Sequence, residues 1–248
     1  MLVTLCQLLF AATILIAQPS PQAQPAPKET KAEAPDLKTR LDALDKKITA
    51  IKDLSAEFEQ TKKTVLLKKP LISTGTVKLK GAKTRWETIK PHPTIMTIDA
   101  SEVRVYYPDQ KTVEVYPMQG DLARLGASPL PRMSTIREQF DIAEIKPADI
   151  DAKATGDLLA ISLTPKTEAL KEHVSKIRVL IDAATACARS VEITDPDGDL
   201  TTIVFKSIKL DSGISDKDVE LLTPPGTTIS RPLEGGAPNP DSKPEDKK

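Results

Sequence analysis

Apolar and polar residues alternate along much of the middle of the chain. The alternation is clearest at residues 77–79, 103–107 and 113–116, where apolar residues stand between charged or hydroxylated ones. Turn-forming tripeptides such as Gly81-Ala82-Lys83 and Pro108-Asp109-Gln110 separate these runs at short intervals. Because successive side chains of a strand point to opposite faces, the pattern predicts half-buried strands, and their close spacing predicts an antiparallel meander.

The second half of the chain repeats this pattern. Strand-like runs occupy residues 158–163, 177–181, 190–193 and 201–208. The Asp195-Pro196-Asp197-Gly198-Asp199 segment between the last two is acidic, but it lacks the twelve-residue spacing and the final Glu of an EF-hand calcium loop. Pro and Gly between two β-branched runs instead predict a hairpin turn.

One amphipathic helix precedes the strands. Its apolar residues recur at steps of four and three, and they are Leu37, Leu41, Leu44, Ile48 and Ile51. Pro35 and Asp36 favour a helix start just before them. Residues 54–61 fit either a continuation of this helix or a half-buried strand, and periodicity alone leaves both open.

Residues 117–139 interrupt the alternation between the two sets of strands. The segment combines Gly and Pro with the apolar residues Leu122, Leu125, Leu130 and Met133. A long insert of this kind in a β-protein is often a lid over a cavity. The alternative is a connector that packs its leucines onto the sheet edge.

The two ends of the chain differ from the middle. Residues 1–17 contain an apolar run that is short for a membrane span and predicts a secretory signal peptide cleaved near Ala17, with an uncleaved anchor as the alternative. Residues 18–35 are rich in Pro and predict a disordered linker, and residues 233–248 predict a disordered charged tail. One domain over residues 36–232 is the expected organisation.

Composition excludes several classes of function. The 35 basic and 35 acidic side chains cancel, which argues against nucleic-acid binding. The two histidines, His92 and His173, stand apart from any nucleophile or metal-ligand motif, and both are expected on the surface. Cys187 lies among small apolar residues and is expected to be a packing residue. We therefore expect no enzyme activity, metal or cofactor, and an apolar ligand instead.

Several segments, taken in order, resemble the LolA family of periplasmic outer-membrane lipoprotein carrier proteins. The family's opening motif is matched by Leu54-Ser55-Ala56-Glu57-Phe58-Glu59-Gln60-Thr61, and its first hairpin by Gly75-Thr76-Val77-Lys78-Leu79 with Arg85-Trp86-Glu87. The run from Val105 through Tyr107-Pro108-Asp109 to Val113 resembles its next strand pair. Thr223-Pro224-Pro225-Gly226-Thr227 resembles its close. Together the matches extend from about residue 37 to residue 232.

The resemblance implies a mainly β fold with helices (α+β). In it, a curved antiparallel sheet forms an incomplete β-barrel, closed by a helical lid around an apolar cavity. It places residues 54–61 in the first strand and implies that Arg85 holds the lid shut by hydrogen bonds. The positions expected to line the cavity are Phe58, Val77, Leu79, Trp86, Ile95, Ile98, Val103, Val105, Leu122, Leu125, Leu130 and Met133.

The family's role implies an exported, periplasmic carrier that shields the acyl chains of lipoproteins on their way to the outer membrane. Its expected partners are an inner-membrane donor complex and an outer-membrane receptor. Two features depart from the family: Trp86 is the single tryptophan, and Val219-Glu220-Leu221 stands where many members have a Phe-x-Phe pair. The alternatives are a carrier of another lipid, a sensory domain like those of sigma-factor regulators, and an envelope scaffold without a ligand.

Overall fold

The computed structural model of the protein describes residues 35–117 and 129–233. The predictions for the signal peptide, for most of the linker and for nearly all of the tail lie outside these residues, as do Leu122 and Leu125. Within them, twelve strands form one open, curved sheet. This confirms the fold class that the resemblance implied.

The helix expected at the start of the domain is present. Helix α1 (Leu37–Ala50) begins at Asp36, whose carboxylate accepts a hydrogen bond of 2.7 Å from the backbone N–H of Thr39. A carboxylate in this position satisfies one of the donors that a helix start leaves unpaired. Leu41, Leu44 and Ile48 are buried, which confirms the apolar stripe.

The strands follow α1 in two sets, separated by the described end of the insert. The first set is β1 (Asp53–Lys63), β2 (Leu71–Lys80), β3 (Lys83–Lys90), β4 (Thr94–Ile98), β5 (Glu102–Tyr107) and β6 (Thr112–Pro117). Helix α2 (Met133–Gln139) then leads to β7 (Phe140–Ile145), β8 (Leu158–Pro165), the short α3 (Glu168–Lys171), β9 (Lys176–Asp182), β10 (Ala188–Thr194), β11 (Leu200–Leu210) and β12 (Thr228–Ser230). Single 3-10 turns lie at Pro108–Gln110, Pro147–Asp149 and Asp216–Val219.

Strand β1 joins the two sets into one sheet. It pairs with β2 on one side and with β11 on the other, both antiparallel. The sheet order is β12-β6-β5-β4-β3-β2-β1-β11-β10-β9-β8-β7, and among these described strands only the short β12 pairs in parallel, with β6. Residues 54–61 are therefore strand, as the resemblance implied, because strands on both sides satisfy their backbone groups.

The sheet has two faces that differ in what covers them. We call one the helix face, because its side chains Leu54 and Phe58 share a cluster of buried residues with Leu41 and Leu44 of α1. We call the opposite one the outer face. Neighbouring side chains across the strands stay on one face, so the register assigns each strand residue to a face.

An aromatic group lies in the packed part of the helix face. The rings of Phe58 and Trp86 meet edge to face with centroids 4.7 Å apart, and Phe205 lies 5.9 Å from Trp86. Gly75 makes this arrangement possible, since a Cβ there would lie 2.0 Å from the backbone oxygen of Glu87 and 2.8 Å from the Phe58 ring. The glycine is required here by close packing.

Two further sequence predictions are confirmed. Residues 195–199 form the turn between β10 and β11, closed by backbone hydrogen bonds from Asp195 to Asp199 and from Gly198 to Asp195. Cys187 is fully buried, and burial raises the pKa of its thiol, so it is a packing residue. Strands β7 and β12 were not predicted, because neither stretch shows a clear alternation.

Candidate functional site

Two rows of apolar side chains run across the strands on the helix face. In the first row, the register places Ala56 beside Val77, then Trp86, Met96 and Val105 in sequence.

The second row runs parallel to the first, two residues away along each strand. It consists of Leu54, Leu79, Thr84, Ile98 and Val103. The two rows form an apolar strip from β1 to β5, and Thr84 is its one polar member.

Burial falls along this strip. Val77 is fully buried, Met96 is half-buried, and Val105 is half-buried at the far end. The buried side chains of α1 and α2 share a cluster with residues of β1, β2 and β3, whereas no residue of β5 or β6 belongs to that cluster in the described part of the chain. The strip therefore changes from a packed core into a half-exposed apolar surface.

A polar group closes the strip at β6. Glu114 is paired with Val105 and Tyr116 with Val103, so both side chains lie on the helix face. The Glu114 carboxylate accepts hydrogen bonds from the hydroxyls of Tyr116, at 2.7 Å, and Tyr107, at 3.2 Å. Hydrogen bonding to the carboxylate, with burial and its negative charge, raises the pKa of Tyr116 to about 12.

The described end of the insert packs against the helix face. Leu130 and Met133 are buried in the same cluster as α1. Asp45 of α1 accepts hydrogen bonds from the backbone N–H groups of Met133, at 2.6 Å, and Ser134, at 2.8 Å, so α1 caps the start of α2. The central residues 118–128, on which the lid prediction mainly rests, lie outside the described part.

The outer face of the same strands is sealed by the C-terminal segment. We call residues 216–230 the strap, because its 3-10 turn contacts β2 and β3 and its strand β12 pairs with β6. Under it, Tyr106, Val113 and Val115 are buried in a second apolar cluster, against which Leu221 packs.

Ile95 lies with this second cluster and not with the helix-face strip. The sequence alone did not decide its side, because Ile95, Met96 and Ile98 are all apolar and the alternation is broken there. Met96 occupies the strip position instead. Its spacing of two from Ile98 is the signal that could have found it.

Arg85 also lies on the outer face, opposite to Trp86. Its guanidinium donates a hydrogen bond of 2.7 Å to the backbone oxygen of Glu220 in the strap and pairs with Glu87 at 3.1 Å. The described partners of Arg85 are thus the strap and its own strand. Its role in holding the lid stays a prediction, because residues 118–128 are not described.

The other expected cavity residues are brought together. Phe58, Val77, Leu79, Trp86, Leu130 and Met133 are buried in one cluster. Ile98, Val103 and Val105 continue from that cluster along the strip. This arrangement can present an apolar surface to a chain-like ligand.

A second cleft, of about 670 Å³, lies on the outer face over β9, β10 and β11. Its floor includes Ser190, whose buried hydroxyl has no hydrogen-bond partner in the described residues, and Glu192, whose carboxylate pairs with Arg178 at 2.5 Å. Asp182 and Arg189 also line it and pair with each other. This mixture of charges is less suited to an alkyl chain than the strip.

The described residues lack two features of other functional classes. Residues 35–117 and 129–233 contain no group of three metal-binding side chains. None of the described helices has the length and apolar character needed to cross a bilayer. His92 and His173 are both exposed, as expected from their sequence positions.

The family model described as outer membrane lipoprotein carrier protein LolA matches residues 49–218. The chain belongs to the LolA family. This match includes β1 to β11 and therefore the whole apolar strip. It confirms the resemblance found in the sequence motifs.

Curated relatives of this LolA-family chain carry the same description. An outer-membrane lipoprotein carrier protein of Legionella pneumophila (strain Corby) is 23% identical over 77% of this chain and 89% of the relative. One of Dechloromonas aromatica (strain RCB) is 24% identical over 71% of this chain and 80% of the relative. A crystal structure of an uncharacterized conserved protein from Thermus thermophilus has the same fold, with a TM-score of 0.50, 13% identity, and coverage of 78% of this chain and 98% of that one.

Proposed function

We propose that this LolA-family protein carries lipoproteins by binding their acyl chains on the helix face between β3 and β6. The observation that supports this most is the half-exposed end of the apolar strip, at Met96, Val103 and Val105. Apolar side chains in adjacent positions on several strands form a continuous surface, which is what an extended alkyl chain requires.

The driving force is the removal of the alkyl chain from water. Each buried methylene contributes about 0.8 kcal/mol, so about ten methylenes on the strip would contribute about 8 kcal/mol before the cost of ordering the chain. No bond is made or broken. Met96 suits such a surface, because its flexible, polarisable side chain adapts to ligands of different shape.

The family name also supports a location and a route. We propose that the chain is exported to the periplasm, with its signal peptide cleaved near Ala17, and that it passes lipoproteins from an inner-membrane donor complex to an outer-membrane receptor. Fractionation with N-terminal sequencing of the recovered chain tests the first part. A full-length product in the cytoplasm would contradict export.

Photo-crosslinking tests the binding site directly. A photoreactive amino acid replaces Met96 on the helix face or, as the matched control, its neighbour Thr97, which the register places on the outer face beside Arg104. After illumination of cells, we expect lipoproteins attached at position 96 and none at position 97. The product is identified by mass spectrometry of the attached peptide and lipid.

The same experiment separates the alternative functions. Free phospholipid without lipoprotein at position 96 would indicate a carrier of another lipid. Equal attachment at positions 96 and 97, or none at either, would contradict a binding surface on the helix face and favour a scaffold.

A further inference from the structure

Exposed aliphatic side chains concentrate at the tip of one hairpin. We call residues 64–70, between β1 and β2, the tip loop. Within it, Val65 is 75% exposed, Leu66 88% and Leu67 49%, and Leu71 and Ile72 beside it are also more than half exposed. The other large apolar residues that are exposed in the described chain are Ile89, Leu222, Ile229 and Leu233.

The tip loop has a defined backbone. The N–H of Leu67 donates to the backbone oxygen of Thr64 at 3.3 Å. The N–H of Leu66 donates to the side-chain hydroxyl of Thr64 at 3.2 Å. The N–H of Val65 donates to the Asp199 carboxylate, at 3.1 Å, in the neighbouring β10–β11 turn. These bonds hold the loop in a turn whose leucine side chains face solvent.

Lysines flank the exposed aliphatic residues on both sides. Lys63 precedes them, and Lys68 and Lys69 follow directly, and all three are exposed. Among the described residues they form no salt bridge, whereas Lys62 pairs with Asp199 at 3.6 Å. Asp199 is thus already engaged by Lys62 and by the loop backbone, so Lys63, Lys68 and Lys69 keep charges that no described carboxylate pairs within salt-bridge distance.

We propose that the tip loop docks the protein on anionic phospholipid bilayers. Its three aliphatic side chains enter the interfacial region of the bilayer, and the flanking lysines lie at the level of the lipid phosphates. Apolar insertion and attraction to anionic lipid act together in elements of this kind. The assignment is independent of the acyl-chain site, since it concerns a different part of the molecule.

A bilayer fits this surface better than a protein partner does. A stable protein interface buries roughly 800 Å² on each side and usually centres on aromatic or arginine anchors. The tip loop offers a few aliphatic side chains on seven residues and has neither aromatic nor arginine side chains. A bilayer requires only shallow insertion of such residues.

A fluorescent probe placed in the loop tests the proposal. The full chain carries Cys6→Ser and Leu66→Cys, labelled with an environment-sensitive fluorophore, while the buried Cys187 stays unlabelled. The control carries the label at Leu222→Cys, a position that is similarly exposed at 74% but lies in the strap. The apolar residues 2–17 are the same in both labelled chains, so a difference between the two probes reports on their own positions.

Vesicles of 30% phosphatidylglycerol and 70% phosphatidylethanolamine are added, with nitroxide-labelled lipid as the quencher. We expect a blue shift and quenching for the probe at position 66 and neither at position 222. Lys68→Gln with Lys69→Gln in the labelled chain should weaken partitioning about tenfold or more, given about fivefold per lysine. Leu67→Asp should weaken it about tenfold.

Three results would overturn the proposal. They are equal quenching of the two probes, equal partitioning into pure phosphatidylcholine vesicles, and partitioning unchanged by the lysine and Leu67 substitutions. Thermal unfolding midpoints of the variants should match that of the parent, because every altered side chain in the tip loop is exposed.

Discussion

The strands β4 to β6 present apolar side chains on both faces of the sheet, the outer face including β6 and the helix face ending at β5, and the two faces differ in what covers them. On the outer face, Val113 and Val115 are almost fully buried under the strap. On the helix face, Val103 and Val105 are half-buried and belong to neither of the described apolar clusters. The same residue type on two neighbouring strands therefore stabilises the fold on one side, from β6, and is left accessible on the other, from β5.

This difference indicates which face is available for a ligand. A buried valine already has the contacts that it can make, and truncating it or adding a polar group costs stability. A half-buried valine has contacts still to gain from an apolar ligand. The predictions below test whether stability and ligand binding separate between the two faces in this way.

The largest effect is expected in the packed part of the helix face. Gly75→Ala should destabilise the protein by about 3 kcal/mol or more, because the added Cβ would overlap the Glu87 backbone oxygen and the Phe58 ring. Chemical denaturation measures the loss. Gly81→Ala is the control: its Cβ would meet nothing within 4 Å, and only its positive φ of 58° should cost about 1 kcal/mol. Equal losses would contradict close packing at Gly75.

A smaller effect is expected where the strap meets the outer face. Arg85→Leu removes the hydrogen bond to Glu220 and should loosen the strap by about 1.5–3 kcal/mol, the range for hydrogen bonds to charged groups. Hydrogen exchange of residues 216–230 measures this. We expect acyl-chain binding to change less than twofold. Binding that instead tightens ten- to a hundredfold would support the lid-holding role implied by the family resemblance.

A matched pair of substitutions compares the two faces directly. Val113→Thr should lower the free energy of unfolding by about 1–3 kcal/mol, since it buries a hydroxyl, and should leave acyl-chain affinity unchanged. Val105→Thr should change stability by less than about 0.5 kcal/mol but weaken binding roughly fivefold. Denaturation and fluorescent fatty-acid titration measure the two quantities. The same pattern in both variants would remove the distinction between the faces.

The smallest effect concerns the polar end of the strip. The pKa of Tyr116 is raised to about 12 by its hydrogen bond to Glu114, so the neutral phenol is the form that the fold stabilises. The contribution should be fully present below pH 10 and lost as the pH rises through 12. Tyr116→Phe should cost about 0.5–1 kcal/mol at pH 8, since the pair is partly exposed, and the difference from wild type should shrink above pH 10. A difference independent of pH would contradict this hydrogen bond.

The sequence predicted many of the strands and the first helix. It did not predict, at every position, which face of the sheet a side chain lies on. Alternation and turn residues predicted the strands, and the spacing of Leu41, Leu44 and Ile48 predicted the helix. At β4, Ile95 and Met96 are both apolar, so the sequence pattern does not show which of them faces the helices. The prediction that Ile95 lines the cavity was wrong, because the register puts it on the outer face. Arg85 directly precedes Trp86 in the family motif, and alternation places such neighbours on opposite faces of the sheet.

The position of the strap could not be predicted from the sequence, for a different reason. Its strand β12 has three residues and pairs in parallel with β6, and no local pattern specifies such a contact between distant segments. Val219-Glu220-Leu221 stands where many family members have a Phe-x-Phe pair. Val219 is instead buried, and Leu221 packs against the cluster on the outer face.

Paramagnetic broadening of valine methyl signals tests the central claim most directly. With a nitroxide-labelled stearic acid as the ligand, we predict stronger broadening at Val103 and Val105 of β5 than at Val113 and Val115 of the paired strand β6. A matched diamagnetic stearic acid is the control for ordinary chemical-shift changes. Broadening confined to Val204, at the outer cleft, or equal broadening on both faces, would contradict an acyl-chain site on the helix face.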